Sequence, residues 1–300
     1  MGRWYWRRAY ALTALALAAA LPAGALAAGC GAKSATPNTK ELILATTTSV
    51  KDSGLLDQVV LPAFKAAHPG ISVKTIAVGS GEAIAMGRRG DADVLVVHSP
   101  KDEEAFMAAG DGTLRLPIAY NYFTIVGPKS DPAGVAKAAG AADAFKAIAD
   151  KGATFISRGD KSGTDTKELN LWNLAGLTAD PKGEPPGSWY VKSGQGMGET
   201  LQIASEKQGY TLTDVATYLS MKHDLQLVPL LKESPDLKNQ YDVVIVSQLK
   251  HATANAAGAE LLAAYLTSPE GQAAIGAYGL DTYGQALFFP DANTLGATAK

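Results

Sequence analysis

The sequence predicts an α/β fold of two domains, each a mostly parallel sheet flanked by helices, with a ligand cleft between them. Short apolar runs rich in β-branched residues alternate along the chain with helical patterns, which is the order that such sheets require. The chain has 300 residues, of which 47% are hydrophobic, and this is enough for one large or two medium cores. Polar loops directly follow several strands, at the position where open parallel sheets bind their ligands.

The chain crosses twice between the two predicted domains. We predict that residues 41–123 and 232–300 form the first domain and that residues 124–231 form a second domain inserted in it. The chain would pass between them near residues 122–126 and again near residues 227–244. A cleft between two such domains can close on a ligand by a hinge motion.

Residues 1–29 have the pattern of a signal peptide. A segment with three arginines and no acid precedes an apolar run that is too short and too rich in alanine for a stable membrane span. Cys30 is the only cysteine, and it follows two alanines and a glycine in a succession that resembles a bacterial lipobox. The sequence therefore predicts a lipoprotein anchored through Cys30, with residues 30–40 as a flexible tether. An ordinary signal peptide with a spare thiol is the alternative.

Hydroxyl-bearing loops follow the first two predicted strands. Residues 42–45 form an apolar strand, and four consecutive hydroxyl residues from Thr46 to Ser49 come next, before a helical pattern over residues 55–64. Residues 71–78 form the second strand, and Ser80 lies between two glycines where the next helix begins. Hydroxyl groups at such positions can donate hydrogen bonds to a ligand, or they can simply cap the helix that follows.

A third loop of this kind contains an arginine. Residues 154–156 form a short buried strand, Arg158 opens a tight polar loop with two glycines, and Ser162 has the spacing of an N-cap three residues before Asp165. A helix start directs backbone N–H groups and a positive dipole end at one point, which favours an anion. Arg158 adds a fixed positive fork, and Ser162 and Thr164 add hydroxyl donors. We therefore predict an anion site; a capped helix beside a solvated arginine would have the same local pattern.

Further elements complete the predicted fold. Residues 92–97 form a continuous apolar strand, which is typical of a sheet covered on both faces. A fourth glycine-rich loop, residues 194–198, precedes a helix but lacks the spacing of a dinucleotide-binding fingerprint. The other predicted strands cover residues 121–126, 189–191, 210–212, 225–231 and 242–246, and the other helices cover residues 82–88, 101–109, 141–149, 199–207, 214–221, 252–266 and 269–278.

Composition and motifs exclude several classes of function. The net charge is −2 with no basic stripe, so nothing favours nucleic acid. There is no His-Glu-x-x-His motif and no cysteine pair, so we expect neither a bound metal cation nor a cofactor. A serine hydrolase with Ser162 as nucleophile is an alternative, but no Gly-x-Ser-x-Gly elbow surrounds that residue. Its base would be one of the four histidines, His68, His98, His223 or His251. An adhesin built on the Arg-Gly-Asp tripeptides at Arg89 and Arg158 is a third class. We expect a binding protein rather than an enzyme.

Four motifs occur together in the chain. They are Thr46-Thr47-Thr48-Ser49 with Asp52-Ser53-Gly54-Leu55-Leu56 after it, residues 86–94, residues 157–164 with Glu168 and Leu171-Trp172 downstream, and residues 239–244. With these motifs the sequence resembles the tungstate-binding proteins of bacterial ABC importers, over essentially the whole chain beyond the signal peptide. The part formed by Arg158, Ser162, Gly163 and Thr164 is also similar to a pattern in phosphate-binding proteins.

This resemblance implies the type II periplasmic binding-protein fold with a tetrahedral oxyanion held in the cleft. It places the anion against the triple-threonine loop, the glycine–serine loop and the arginine loop. The residues at these positions are Thr46, Thr47, Thr48, Ser80, Arg158, Ser162, Gly163 and Thr164. The loop at residues 194–198 is a further candidate, and Ser247, where we would expect asparagine in relatives, is left open.

The function implied by the resemblance is transport. We expect a monomeric, extracytoplasmic lipoprotein, in the periplasm or on the outer face of the cytoplasmic membrane, that captures tungstate or molybdate for an ABC transporter permease. Phosphate or another tetrahedral oxyanion is the alternative ligand. Because a carboxylate directed at a buried dianion would be repelled, we expect the nearest ones, Asp93 and Asp160, to face away and to orient Arg158 or cap a helix.

Overall fold

Strands and helices alternate along the chain, as the sequence predicts. The structure is a computed structural model that describes residues 41–178, 184–231 and 234–292, and these all belong to one compact unit, Pro37–Lys300. The strands are β1 Leu42–Thr47, β2 Val73–Val78, β3 Val94–Val97, β4 Gly112–Pro128, β5 Phe155–Ser157, β6 Tyr190–Lys192, β7 Thr211–Asp214, β8 Leu227–Pro229, β9 Lys238–Val246 and β10 Phe289–Pro290. The helices are α1 Thr48–Asp52, α2 Leu61–Ala67, α3 Ser80–Arg89, α4 Pro100–Ala108, α5 Ala141–Asp150, α6 Gly163–Leu174, α7 Met197–Glu206, α8 Val215–Met221, α9 Ala256–Thr267, α10 Pro269–Ala277 and α11 Leu280–Tyr283.

A mixed sheet forms the frame of the molecule, with the strand order β10-β4-β9-β3-β1-β2. Strand β1 is parallel to β2 and β3, whereas β9 is antiparallel to β3 and β4. Strands β7 and β8 pair with the second half of β4, and β5 and β6 form a parallel pair of their own. The predicted α/β class is confirmed. The sheet is mixed because the long strands β4 and β9 run against their neighbours.

Strand β3 is buried on both faces, as its continuous apolar run predicts. Val94 and Val96 pack in one apolar cluster, and Leu95 and Val97 pack in another on the opposite face. Burial of both faces determines which residues a strand can carry, but it does not determine the direction of the neighbouring strands. The same apolar run therefore suits a strand with one parallel and one antiparallel neighbour.

The largest differences from the sequence predictions are at two places. The first half of β4 was not predicted, because Pro117 and two register shifts against β9 interrupt the alternation of its side chains. The helix predicted over residues 55–64 is a π-helical turn, Leu55–Val60, followed by α2. Pro62 lies in the first turn of α2, where its missing N–H costs no helical hydrogen bond.

A second apolar core surrounds the second half of β4. Phe145, Phe155 and Trp172 pack ring against ring in it, with centroids 4.3 to 5.3 Å apart. Strand β4 contributes Phe123 to this core and Ile118 to the cluster that contains Val94 and Val96, so these two cores share the strand. The boundaries of the two predicted domains remain a prediction.

The carboxyl ends of β1, β2 and β3 lie side by side at one edge of the sheet. Thr47 is opposite Val78 of β2, and Thr46 is opposite Val96 of β3. The residues that follow these strands, including the starts of α1 and α3 and the side chain of His98, therefore meet at that edge.

The signal peptide, Cys30 and the tether lie outside the described residues. Within the ranges that are described, no helix combines the length and the apolar character needed to cross a membrane.

Candidate anion-binding site

The starts of α1, α3, α6 and α7 come together at the carboxyl edge of the sheet. A Cβ atom added to Gly79, the N-cap of α3, would lie 3.3 Å from Ser162 Cα, at the N-cap of α6. A Cβ atom added to Gly196, the N-cap of α7, would lie 3.6 Å from Thr48 Oγ1, in the first turn of α1. Each helix start presents unpaired N–H groups and the positive end of a dipole, so together they favour an anion.

Arg158 is buried among these helix starts, with only 1% of its surface exposed. Its Nη2 donates to Thr48 Oγ1 at 2.9 Å and to Asp160 Oδ2 at 2.6 Å. The other oxygen of Asp160 accepts from Ser162 N at 3.1 Å. Asp160 therefore holds the guanidinium group of Arg158 in one orientation, and Asp160 is itself held by its bond to Ser162 N.

Several buried donors at this point lack a partner. Among the described residues, Arg158 Nε, Arg158 Nη1, Ser80 Oγ and Thr164 Oγ1 are buried polar atoms without a hydrogen-bond partner. Leaving such a group unpaired costs about 1–3 kcal/mol, and more when the group is charged. Because three of the predicted residues share this feature, the site is suited to a ligand that accepts hydrogen bonds from several directions.

The three threonine hydroxyl groups of this loop have different partners: two bond within the sheet and helix α1, and one bonds to Arg158. Thr46 Oγ1 donates to Val96 O at 2.9 Å, so this hydroxyl is engaged inside the sheet. Thr47 Oγ1 accepts from Val50 N at 3.2 Å and caps α1. Thr48 is half-buried and faces Arg158, as described above. The anion contacts predicted for these three residues remain predictions, of which Thr48 has the least obstructed hydroxyl.

Ser162 and Gly163 form the start of α6, as predicted. Ser162 Oγ accepts from Asp165 N at 3.1 Å and is the N-cap. Gly163 is required by close packing, because a Cβ atom there would lie 2.7 Å from both Cε1 and Nδ1 of His98. The glycine therefore allows the histidine ring to lie directly against the first residue of the helix.

The two carboxylates that the sequence analysis named as nearest lie in different places, and Asp93 is not near the site. Asp160 bonds to Arg158 and Ser162, whereas Asp93 accepts from Ile43 N and Asn255 N at 2.7 Å each, at the opposite edge of the sheet. The arrangement at the site is thus one arginine with several neutral donors.

His98 is part of the site's surroundings, although the sequence analysis treated it only as a candidate base. It is buried, its Nε2 lies 3.2 Å from Ser49 Oγ, and its Nδ1 lies 2.9 Å from Asn239 Oδ1. Burial and then the positive charge of Arg158 lower the pKa of His98 to about 4, so the ring is neutral at physiological pH. Both ring nitrogens are engaged by residues other than Ser162, which gives no support to a Ser162–His98 pair. The signal that could have pointed to His98 is its place directly after β3, at the same sheet edge as the other loops.

The two positions left open by the sequence analysis lie in different places. The loop at residues 194–198 reaches the site, because its Gly196 faces Thr48. Ser247 lies at the opposite edge of the sheet, where its N–H donates to Asp111 O at 2.7 Å. It lies there because β9 is antiparallel to β3, so the residues of β9 nearest the site are at its start, beside Asn239.

Glu168 is a second buried titratable group, one helical turn after Thr164. Its Oε1 accepts from Tyr190 OH at 2.8 Å and from Trp172 Nε1 at 3.1 Å. Burial raises the pKa of Glu168 to about 8, against the opposing effect of the Tyr190 hydrogen bond. At neutral pH the carboxyl group is therefore mostly protonated, and α6 carries little negative charge in this turn.

Replacing Glu168 by glutamine should change how stability depends on pH. The pKa of Glu168 is about 8 in the folded protein and 4.5 otherwise, so its favourable contribution is complete below about pH 4.5 and is lost as the pH rises through 8. The wild type should lose up to about 1.4 kcal/mol of unfolding free energy per pH unit from this residue between those values. Glu168→Gln should remove that component.

Urea unfolding at a series of pH values measures this effect. Glu103, whose pKa is also raised by burial, contributes equally to both proteins, so the difference between the two curves isolates Glu168. Parallel curves for the two proteins would show that Glu168 is ionised when buried.

The chain is similar to proteins of known function along most of its length. Residues 32–270 match the family model described as a PBP superfamily domain. The chain is 45% identical over 273 residues to the tungstate-binding protein TupA of Peptoclostridium acidaminophilum, in an alignment that covers 88% of this chain and 93% of that protein.

Two solved structures are also similar. The tungstate ABC transporter protein from Geobacter sulfurreducens has 47% identity and a TM-score of 0.72, with 80% of this chain and 99% of that chain covered. The tungstate-binding protein TupA from Desulfovibrio alaskensis G20 has 40% identity and a TM-score of 0.67, with 84% of this chain and 99% of that chain covered.

Proposed function

The chain belongs to the PBP superfamily and, within it, to the family of the tungstate-binding proteins, and on this basis we propose that it captures tungstate for transport. It binds the anion outside the cytoplasm, as a monomer, and delivers it to the permease of an ABC transporter. Molybdate has the same charge and nearly the same size, so it is a second ligand of the same site.

The observation that carries this proposal is the unpartnered state of the buried Arg158. Two of its nitrogens lack acceptors, and the free hydroxyl groups of Ser80 and Thr164 belong to neighbouring helix starts. A buried dianion needs many hydrogen bonds, because losing its water costs far more than a single ion pair returns. One arginine with neutral donors around it supplies them without burying excess positive charge.

Such a site can bind the anion tightly enough to capture it at low concentration. A charge-assisted hydrogen bond contributes about 1.5–3 kcal/mol net. Four to six of these bonds, offset by desolvation and closure, support a nanomolar dissociation constant, which corresponds to about −12 kcal/mol. Closure of the two domains over the anion, with residues 124–231 moving against the rest, would complete its enclosure.

Calorimetric titration of the purified, anion-free protein with tungstate and with molybdate tests this function. We expect a single site per chain and a dissociation constant near the nanomolar range. Absence of binding to both anions would reject the proposal. Saturable binding of phosphate alone would move the protein to another oxyanion.

The same assignment makes the protein a carrier and not an enzyme. The relatives named above are tungstate-binding proteins and a tungstate ABC transporter protein, and the arrangement around Ser162 offers a helix cap in place of an activated nucleophile. Incubation with a generic ester or phosphomonoester should give no turnover, and measurable hydrolysis that is lost in Ser162→Ala would favour the hydrolase alternative.

We propose that Cys30 is the acylated first residue of the exported protein, which anchors it to the membrane from outside the cytoplasm. The succession of charged, apolar and small residues that ends at the only cysteine supports this. Metabolic labelling with a fatty acid should mark the wild type and fail for Cys30→Ser. Labelling that persists in the variant, or free release of the wild type, would contradict lipid anchoring.

A further inference from the structure

We propose that His98 is a positioning residue for the anion site, held as the neutral Nδ1–H tautomer in a one-way chain of hydrogen bonds that joins Asp214 to Thr47. The inference rests on the proposed function only in that it takes the loops around Arg158 as the binding site. The direction of the chain follows from the side chains alone.

The direction is determined first at the Asp214 end. This carboxylate caps α8, accepting from Thr217 N at 2.9 Å and Thr217 Oγ1 at 2.7 Å, and it also accepts from Asn121 Nδ2 at 3.4 Å. The amide oxygen of Asn121 then accepts from Asn239 Nδ2 at 3.0 Å. Asn239 Nδ2 also lies 2.6 Å from the hydroxyl of Tyr241, which can accept from it. The amide of Asn239 is therefore oriented with its oxygen toward His98.

The orientation of Asn239 determines the tautomer of His98. Its Oδ1 lies 2.9 Å from His98 Nδ1 and needs a proton there, so Nδ1 carries the hydrogen. In the neutral ring Nε2 is then an acceptor, and the hydroxyl of Ser49, at 3.2 Å, must donate to it. Burial and the charge of Arg158 both disfavour a second proton on this ring.

The chain ends in the triple-threonine loop. Ser49 has a single proton and gives it to His98, so the 3.0 Å contact between Ser49 and Thr47 requires Thr47 to donate. Thr47 in turn accepts from Val50 N, which is a donor only. Every member of the chain thus has one possible direction, and the hydroxyl proton of Thr47 points toward Ser49 and not toward the anion.

His98 also contacts the start of α6, the helix that carries the hydroxyl donor of Thr164. Gly163, at the start of α6, lies so close to the ring that a Cβ atom would come within 2.7 Å of two ring atoms. The ring of His98 thus bonds through Ser49 to the loop that contains Thr47, and it also packs against the start of the helix that carries Thr164. We infer that the ring sets the spacing between these two parts of the site, whose rigid placement determines how well they meet one anion.

The first test is the tautomer itself. Nitrogen-15 NMR of histidine-labelled full-length protein, with and without tungstate, should show His98 protonated at Nδ1 and bare at Nε2 between about pH 6 and pH 8, since its pKa is about 4. A signal from the Nε2–H tautomer, or titration within that range, would overturn the chain. The measurement needs no substitution, so it holds even if a variant fails to fold.

The second test separates hydrogen bonding from packing. In His98→Gln the amide oxygen can still accept from Ser49, whereas His98→Leu fills space without an acceptor. We expect His98→Leu to lose tungstate affinity at least ~10-fold, the size of one buried hydrogen bond, and His98→Gln to recover most of it. His223→Leu, at an exposed position, is the control and should bind as the wild type does.

The outcomes distinguish this inference from the proposed function. Equal losses in folded His98→Gln and His98→Leu would show that the histidine only fills space, which overturns the positioning role. If the wild type binds no tungstate, the proposed function fails, and the tautomer measurement still decides the direction of the chain.

Discussion

Arg158→Ala should lower tungstate affinity at least ~30-fold, which corresponds to about 2 kcal/mol, while the protein remains folded. Among the residues predicted to contact the anion, Arg158 is the charged donor, and two of its nitrogens have no partner in the protein. Its removal would leave anion oxygens buried without donors. It would also leave Asp160 unbalanced beside a dianion, since the two residues lie 2.6 Å apart.

Two further variants show which property of Arg158 accounts for the lost tungstate affinity. Arg158→Lys keeps the charge but not the planar fork, so it should bind more tightly than Arg158→Ala and less tightly than the wild type. Arg89→Ala is the matched control, because Arg89 belongs to the other Arg-Gly-Asp tripeptide but is 52% exposed and pairs with Glu82 and Asp91. It should leave tungstate affinity unchanged.

Calorimetry gives the affinities, and circular dichroism shows whether each variant is folded. Thr48→Val should reduce affinity less than Arg158→Ala does, because it removes a neutral hydroxyl. An unchanged tungstate affinity in folded Arg158→Ala would exclude Arg158 from the site.

The residues that sequence reasoning identified most securely lie directly after strands. Ser80 follows β2, and Arg158 and Thr164 follow β5, in the loop and the first helical turn after each strand. The local pattern of strand, polar loop and helix start was sufficient to identify these three residues, whose donors the folded protein leaves unpartnered.

Thr46 and Thr47 show where that reasoning stops. The partner of the Thr46 hydroxyl is Val96 O, 50 residues away, and this contact depends on the register of β1 against β3. The proton of Thr47 is directed by a chain that passes through His98 to Asn239, a further 141 residues along. A hydroxyl in a loop has the same sequence signature whether it faces a ligand or another side chain.

Strand direction decides the position of Ser247, which the sequence analysis left open. The sequence placed it after an apolar strand, where loops of a parallel sheet reach the ligand. Because β9 runs against β3, its end is at the opposite edge and its beginning, with Asn239, is at the site. An apolar run indicates that a strand is buried, but it gives no information on direction.

The protein should select tungstate and molybdate over phosphate and sulfate by at least ~1000-fold, which corresponds to about 4 kcal/mol. Phosphate retains at least one proton at neutral pH, and a site that binds it tightly needs an acceptor for that proton. Both oxygens of Asp160 already accept from Arg158 and Ser162, and Asp165 Oδ2 accepts from Lys161 N. We expect these bonds to direct the carboxylates of Asp160 and Asp165 away from the anion, so that the proton of phosphate faces donors. Each unpaired contact of that kind costs about 1–3 kcal/mol.

Sulfate tests size, because it is fully deprotonated and has the charge of tungstate. Its oxygens lie closer to the central atom, so donors fixed for the larger anion cannot all reach them. The donors here are fixed: Arg158 is held by Asp160 and Thr48, and the start of α6 is supported by His98. Once the two domains have closed, these supports limit any further approach of the donors to a smaller anion, and a bond lengthened beyond about 3.5 Å contributes little. Tungstate and molybdate are nearly equal in size, so the geometry does not separate them.

Competition titrations at pH 7 against bound tungstate measure this selectivity. Molybdate should displace tungstate at comparable concentration, and phosphate and sulfate should not. Perrhenate is a tetrahedral anion of similar size with a single charge, so weak displacement by perrhenate would show that charge matters in addition to size.

Glu168→Gln serves as the control for the neutral state of α6. A protonated Glu168 and a glutamine leave the same charge near the site, so selectivity should be equal in both proteins. Displacement of tungstate by phosphate at comparable concentration would mean that a nearby carboxylate turns toward the anion, and it would assign the protein to phosphate.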